Sequence, residues 1–173
     1  MKNHADLTRQ ERIDKVMSDR KSDFCLVLEN LSEANNISAI LRTAEAFGVG
    51  QVCIIYDKTK PRLSMQTSSG ASKWLNINYF DSTEECLSQL KKEGFTIIGA
   101  LVDPEAKVLW HQNFQGKVAI MVGTEVTGLS EVAQQQVDHN IYLPMIGLTE
   151  SLNVSVSAAI FLYEVIRQKE VKN

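Results

Sequence analysis

The feature that most constrains the fold is a repeated exchange between short apolar runs and longer segments with helical periodicity. The apolar runs predict strands at residues 24–29, 51–56, 74–79, 95–101, 118–122 and 141–143. Helices are predicted around them, at residues 5–21, 36–47, 82–93, 130–136 and 153–168. Strands that are apolar on both faces and alternate with helices indicate a parallel sheet covered by helices. The sequence therefore predicts an α/β fold.

Length and composition fit one domain. The chain of 173 residues shows no internal repeat and no linker-like stretch, so residues 1–173 are expected to form a single unit. No apolar run approaches the roughly 18 residues of a membrane span, and the N-terminus lacks the apolar core of a signal peptide. We expect a cytoplasmic protein without a membrane partner. The three cysteines are widely spaced, which predicts buried, reduced thiols and no metal.

A basic helix is predicted within residues 1–22, over positions 5–21. Thr8 and Glu11 have the spacing of a capping box, which marks a helix start. Three arginines fall within an arc of roughly 80° on this helix: Arg9, Arg12 and Arg20. Such a face can hold phosphates, although a formal net charge of −3 argues against a nucleic-acid-binding protein as a whole. The alternative is an ordinary solvated helix face.

Three segments combine polar side chains with glycine or small residues where ligands bind to α/β proteins. Asn36 opens a predicted helix, and Arg42 lies inside that helix among apolar residues. Residues 123–128 (GTEVTG) directly follow a strand, where the turns of parallel sheets bind ligands. Residues 143–159 run from an apolar loop into a helix that begins with small residues. Each segment also has a plain interpretation: a helix cap, a tight turn and close helix packing.

Signatures of other catalytic classes are missing from the sequence. The turn at residues 123–128 matches neither the dinucleotide fingerprint nor the P-loop, and no GxSxG, HExxH or zinc spacing occurs. The three histidines are scattered along the chain. A nucleotide-dependent oxidoreductase, which the fold class would permit, is therefore disfavoured.

Taken in order, the three segments resemble the SpoU/TrmH family of RNA ribose 2′-O-methyltransferases. The family pattern is found as NxxxxxR beginning at Asn36, as GTEVTG at 123–128, and as PMIG followed by SLNVS between 144 and 155. The resemblance covers residues 5–168. It is closest to the branch that methylates a guanosine in the D-loop of tRNA.

The resemblance implies a doubly wound parallel sheet in which residues 118–168 form a deep trefoil knot and the C-terminal helix. This replaces the general expectation that chains are not knotted. It also implies a homodimer, and S-adenosylmethionine as methyl donor with S-adenosylhomocysteine as product. The implied cofactor site contains Ala100, Gly123, Leu143, Met145 and Leu152. The implied catalytic residues are Arg42, Asn36, Glu125, Ser151 and Asn153, with Glu125 holding the knot loop.

Two roles for Arg42 are open. The family assigns to this arginine the removal of the proton from the 2′-hydroxyl, whereas guanidinium groups normally stay protonated. We favour a role in which Arg42 holds a phosphate beside the target ribose and stabilises the developing alkoxide. The side chains of Asn36, Ser151 and Asn153 would orient Arg42 and the ribose.

The expected partner is RNA, with tRNA ahead of ribosomal RNA. Phosphate contacts are expected from the first helix and from the loop at 57–73, through Arg9, Arg12, Arg20, Arg62, Ser69 and Lys73. Two departures from the family keep other targets open. Val126 stands where the family has a lysine, and the chain runs only a few residues beyond Arg167, where tRNA-methylating members carry a basic, aromatic tail. The alternatives are a ribosomal RNA 2′-O-methyltransferase and a non-catalytic relative that binds RNA or the cofactor.

Overall fold

The computed structural model describes residues 8–56, 70–124, 126–149 and 151–170. Within these ranges, strands and α-helices alternate along the chain. The elements are α1 (Arg9–Ser18), β1 (Lys21–Glu29), α2 (Ala34–Ala46), β2 (Val49–Ile55), β3 (Ile77–Phe80), α3 (Thr83–Lys92), β4 (Thr96–Ala100), β5 (Lys107–Val108), β6 (Val118–Val122), α4 (Glu131–Gln136), β7 (His139–Tyr142) and α5 (Val154–Glu170). Short 3-10 helices occupy Ala71–Lys73 and Leu109–His111.

The strands form one seven-stranded sheet in the order β3-β2-β1-β6-β4-β7-β5, and every pairing between named strands is parallel. The predicted parallel α/β fold is therefore confirmed. β1 lies near the centre, and its residues 24–29 are all buried. Because side chains alternate across a strand, Leu26 packs in a core with α2 and α5, whereas Val27 packs in a second core with α3 and α4. Helices thus cover both faces of the sheet.

The structure corrects two predicted elements and adds a strand that was not predicted. The strand predicted at 74–79 is wrong at its start, because a 3-10 helix occupies Ala71–Lys73 and β3 covers only Ile77–Phe80. α1 ends at Ser18, so Arg20 lies beyond the helix rather than on its arginine face. β5 was missed because a strand of two residues is too short to show any periodicity.

The start of α2 also differs from the prediction. The helix begins at Ala34, and its N-cap, Glu33, makes no side-chain capping bond. Asn36 therefore lies within the first turn and does not cap the helix. The capping box predicted for α1 is confirmed, since the Thr8 hydroxyl accepts a bond from the Glu11 amide and the Glu11 carboxylate accepts one from the Thr8 amide.

The C-terminal end of α5 is fixed at the amino ends of β1 and β6. The turn at residues 123–128 lies at the other end of β6. The Lys169 ammonium contacts the Asp23 carboxylate at 2.6 Å and donates to the carbonyl of Gly116 at 2.7 Å. The Gln168 side chain accepts a bond from the Phe114 amide at 3.1 Å. These contacts join α5 to the first residues of β1 and to the segment that precedes β6. Among the described helices, none has the length and apolar character needed to cross a membrane.

Candidate functional site

A cavity of about 310 Å³ lies at the carboxyl edge of the sheet. It is surrounded by the loops that follow β4, β6 and β7, which are neighbours in the sheet, and by the first turns of α5. Its lining is mainly apolar, with threonine and serine hydroxyls and the backbone of glycines. The carboxyl edge of an open parallel sheet is where such proteins bind ligands, and the volume is that of a small-molecule site.

The cavity brings together every residue that the sequence assigned to cofactor binding. These residues come from three loops and all belong to the lining: Ala100, Gly123, Leu143, Met145 and Leu152. Ser151, a predicted catalytic residue, lies in the same lining. Neighbours that sequence reasoning missed also line the cavity, including Thr124, Thr127 and Phe161. The only sequence signal for these residues is their position: Thr124 and Thr127 belong to the same turn as Gly123, and Phe161 belongs to α5, the helix that follows Leu152.

The turn after β6 forms one wall of the cavity and depends on its two glycines. The amide of Thr124 donates to the carbonyl of Gly128, and the amide of Gly128 donates to that of Thr124, both at 3.0 Å. A Cβ atom at Gly123 would lie 2.1 Å from the carbonyl oxygen of Gly128, so no larger residue fits there without movement of the backbone. Gly128 has φ of +67°, which side-chain-bearing residues rarely adopt. The turn therefore exposes backbone groups to the cavity.

The two predicted catalytic asparagines contact each other. The Asn153 side-chain amide donates to the Asn36 side-chain oxygen at 3.1 Å. The Asn153 oxygen in turn accepts bonds from the Ser155 amide at 2.9 Å and the Ser155 hydroxyl at 2.6 Å, which caps the start of α5. This pair joins the first turn of α2 to the first turn of α5, next to Ser151 and the cavity.

Arg42 lies on the exposed face of α2 and is not part of the cavity lining. Among the residues that the structure describes, none forms an ion pair or a hydrogen bond with its guanidinium group. Because this exposed guanidinium has no partner among the described residues, it is available to an external anion. Its planar arrangement of N–H donors suits a phosphate. Arg42 is therefore placed to meet a ligand that approaches from solvent.

The described residues among those predicted to bind RNA lie on different elements. Arg9 and Arg12 are exposed on α1, and Lys73 is exposed on a 3-10 helix that packs against α2. Arg20 instead donates to the carbonyl of Val49 at 3.0 Å, at the end of the sheet opposite the cavity. Arg62 and Ser69 lie outside the described residues, as does Glu125 of the predicted catalytic set.

A buried carboxylate that sequence reasoning overlooked lies behind the cavity wall. Glu29 is 1% exposed and ends β1. It accepts bonds from the Ser130 amide at 2.9 Å, the Ser130 hydroxyl at 2.7 Å and the Thr83 hydroxyl at 2.6 Å. The sequence carries one signal for this site: a single acidic residue at the end of an apolar strand. A charged group buried at that position requires hydrogen-bond or ionic partners from other segments.

The three cysteines are free and buried, as predicted, yet they are not far apart in space. The sulfur atoms of Cys25 and Cys53, on adjacent strands, lie 3.7 Å from each other. Burial raises the pKa of the Cys25 thiol well above its usual value, which disfavours the reactive thiolate form. Within the described ranges, no group of three or more His, Cys, Asp or Glu side chains is arranged to hold a metal ion.

Comparison with known sequences identifies relatives of this chain. A family profile described as the SpoU rRNA Methylase family matches residues 23–163. The tRNA (guanosine(18)-2′-O)-methyltransferase of Borreliella burgdorferi is 34% identical over 158 residues, which are 91% of this chain and 72% of that protein.

Solved structures agree with the sequence comparison. The TrmH/SpoU tRNA modifying enzyme of A. aeolicus is 31% identical and superimposes with a TM-score of 0.88, over 94% of this chain and 83% of that one. The SpoU methyltransferase AviRb from Streptomyces viridochromogenes, in complex with AdoMet, has a TM-score of 0.78 at 22% identity and covers 90% of this chain and 64% of its own. At that identity, the likeness to AviRb concerns the fold.

Proposed function

The chain belongs to the SpoU rRNA Methylase family, and we propose that it transfers a methyl group from S-adenosylmethionine to the ribose 2′-hydroxyl of guanosine 18 in the D-loop of tRNA. One observation carries this proposal. The residues assigned to the cofactor line a single cavity, and the bonded pair of Asn36 and Asn153 lies at the start of α5, beside that cavity. The name of the Borreliella relative supports the choice of nucleoside.

The cavity residues fit the proposed cofactor. The apolar lining offers a surface for a nucleoside, and the turn at Gly123 and Gly128 offers backbone groups for its polar edges. Ala100, Gly123, Leu143, Met145 and Leu152 would hold the cofactor there. When bound, S-adenosylmethionine supplies an electrophilic methyl group on a sulfonium.

The chain's own residues would bring the ribose to that methyl group and manage its proton. Arg42, exposed on α2, holds the phosphate next to the target ribose and stabilises the negative charge that develops on the 2′-oxygen. Asn36, Ser151 and Asn153 orient the ribose. A profile of rate against pH tests the rival role of Arg42: an ascending limb at about pH 9–11 that vanishes in Arg42 variants would indicate a base.

The finer features of the fold are part of the proposal. Residues 1–173 form one domain, and residues 118–168 carry the deep trefoil knot with the helix that follows it. Glu125 holds the knot loop. The extent of the superposition on the A. aeolicus enzyme supports this assignment.

The proposed homodimer rests on an apolar stripe along α5. Val156, Ile160 and Tyr163 recur at helical spacing and are 48%, 37% and 56% exposed. A second copy of the chain would cover this stripe. We expect Val156→Lys to yield monomers in sedimentation analysis, whereas Trp110→Lys, at an exposed position near the edge strand β5, leaves the dimer intact. Equal masses for both variants would contradict this interface.

Contacts with RNA phosphates are proposed for Arg9, Arg12 and Lys73, together with Arg62 and Ser69. Loss of two phosphate contacts should reduce the steepness of the slope of log affinity against log salt by about 1.4–1.8. The double variant Arg9→Gln, Arg12→Gln tests this, with Lys91→Gln, Lys92→Gln in the last turn of α3 as a control of equal charge. An equal change of slope in the two double variants would indicate a general effect of charge and would contradict specific phosphate contacts at Arg9 and Arg12.

Methyl transfer itself tests the proposed function. The purified protein is incubated with methyl-labelled S-adenosylmethionine and an unmodified tRNA transcript, and the labelled nucleoside is identified after digestion. We expect 2′-O-methylguanosine. The matched control is the same tRNA with 2′-deoxyguanosine at position 18, which has no acceptor oxygen and should remain unlabelled. Equal labelling of both RNAs would contradict the assigned position.

A ribosomal RNA target is the second candidate, because the matching family is described by that substrate. Ribosomal RNA therefore forms a parallel arm of the experiment. Label that enters ribosomal RNA but not tRNA would move the protein to this function, while the site and the chemistry would stay as described.

A further inference from the structure

We propose that Glu29 is a positioning residue that holds the cofactor-facing turn at residues 123–130 in its binding shape. The inference rests on the proposed function, since it concerns the same cavity. Glu29 touches neither the cavity nor the reacting atoms; it acts through Ser130, at the far end of the turn from β6.

The bonds of Glu29 converge on one side of that turn. Both oxygens of its carboxylate are used on Ser130: one accepts from the amide, the other from the hydroxyl. The Ser130 hydroxyl also accepts a bond from the Ala133 amide, so the same atom caps α4. The turn is thus fixed at one end by the central strand β6 and at the other by a buried carboxylate on β1.

The charge of Glu29 is balanced by hydrogen-bond donors rather than by a cation. Within the described residues, no lysine, arginine or histidine pairs with it. Its third bond comes from the Thr83 hydroxyl in the first turn of α3, and both α3 and α4 direct their N-terminal ends toward it. A buried carboxylate that loses its hydrogen-bond donors lowers the stability of the fold. The end of β1 and the turn at residues 123–130 are therefore held together by the bonds between Glu29 and Ser130.

Glutamine at position 29 has the same shape but cannot reproduce these bonds. In one orientation its NH₂ group faces the amide of Ser130, which is also a donor. In the other orientation it faces the Ser130 hydroxyl, which then loses its acceptor. Either way Ser130 loses one of the two bonds that it donates to the carboxylate. In the second orientation the glutamine amide can donate to the Ser130 hydroxyl in exchange, but that bond is no longer made to a charged group, so the wall formed by Gly123, Thr124 and Gly128 is held less firmly.

The test measures binding of S-adenosylhomocysteine by calorimetry. We expect Glu29→Gln to weaken binding about tenfold, the effect of one well-placed hydrogen bond. Thr83→Val is the matched control: it removes one bond from the same carboxylate but leaves Ser130 untouched, and its affinity should stay within about twofold. Ser130→Thr, which keeps both donors, should bind like the unaltered protein, whereas Ser130→Ala should lose affinity even if Glu29→Gln fails to fold.

Hydrogen exchange separates positioning from simple stability. In Glu29→Gln, amides of residues 123–130 should exchange faster, while in Thr83→Val this segment should be unchanged. The inference would be overturned if Glu29→Gln and Ser130→Ala bound S-adenosylhomocysteine as tightly as the unaltered protein. It would also be overturned if Thr83→Val lost as much affinity as Glu29→Gln. If the unaltered protein binds no S-adenosylhomocysteine, it is the proposed function that fails, and the inference falls with it.

Discussion

Gly123→Ala should damage the proposed cofactor site through a single methyl group. In the structure, the added Cβ would lie 2.1 Å from the carbonyl oxygen of Gly128 and 2.3 Å from its carbonyl carbon. An ordinary contact between such atoms is about 3.5–4.0 Å, and the obstacle is backbone rather than a flexible side chain. The two sides of the turn must therefore move apart by more than about 1 Å.

The magnitude follows from the bonds that this movement breaks. The two hydrogen bonds between Thr124 and Gly128 are both 3.0 Å long, so a separation of about 1 Å removes both. At about 1 kcal/mol for each net bond, the free energy of unfolding should fall by about 2 kcal/mol, within the usual cost of overpacking. For a chain of 173 residues this corresponds to a fall in Tm of about 4–8 °C.

Thermal unfolding and calorimetry with S-adenosylhomocysteine check this reasoning together. Gly147→Ala is the control, because Gly147 has an ordinary φ and a Cβ there would meet no atom within 4 Å. We expect its Tm to change by less than about 2 °C. If Gly123→Ala binds S-adenosylhomocysteine and unfolds like the unaltered protein, the close approach of Gly123 to Gly128 does not shape the cavity, and the reasoning is refuted.

Three further predictions concern a cap, the thiols and acid stability. Asn153→Ala removes the cap of α5 together with the bond to Asn36 and should cost about 1–2 kcal/mol in urea unfolding, whereas Asn36→Ala leaves the cap of α5 in place and should cost less; equal costs would contradict the capping role. The native protein should react slowly with Ellman's reagent, and all three thiols should react at once in guanidinium chloride; rapid reaction without denaturant would show that the thiols are accessible. The hydrogen bond from Arg167 lowers the pKa of Glu164 from its ordinary value of 4.5, so this pair contributes stability above about pH 4.5 that is lost as the pH falls through the lowered pKa. Unfolding measured between pH 6 and pH 3 should therefore show a shallower acid loss in Arg167→Gln, and parallel curves would exclude this contribution.

The order of strands and helices could be predicted because each buried strand carries its own signal. The runs at 24–29, 51–56 and 118–122 are apolar on both faces, which is a property of the strand alone and needs no partner. β5 gave no such signal, since two residues establish no period. The aromatic and apolar residues that begin at Trp74 predict a strand from that residue, whereas Trp74 is the C-cap of a short 3-10 helix.

The site could be predicted in part, for a different reason. The residues that line the cavity are recognisable through a family pattern of glycines, asparagines and serines, and the structure brings Ala100, Gly123 and Leu152 into one lining. The contacts that support the lining could not be predicted in this way. Glu29 and Ser130 look unremarkable in their own segments, and only the assembled sheet brings them within 2.7 Å.

The polar contacts that complete the site join segments that are distant in sequence, and this has a consequence for stability. Asn36 and Asn153 are 117 positions apart, and Glu29 and Ser130 are 101 apart. Contacts of such separation form only after the entropy of closing long loops has been overcome by the sheet and its two cores. These contacts are thus a few hydrogen bonds on a scaffold whose stability comes from buried strands such as β1. Binding of S-adenosylhomocysteine should stabilise the folded protein by mass action. Glu29→Gln and Ser130→Ala should therefore lower ligand affinity, whereas Leu26→Ala in the core should chiefly lower the free energy of unfolding.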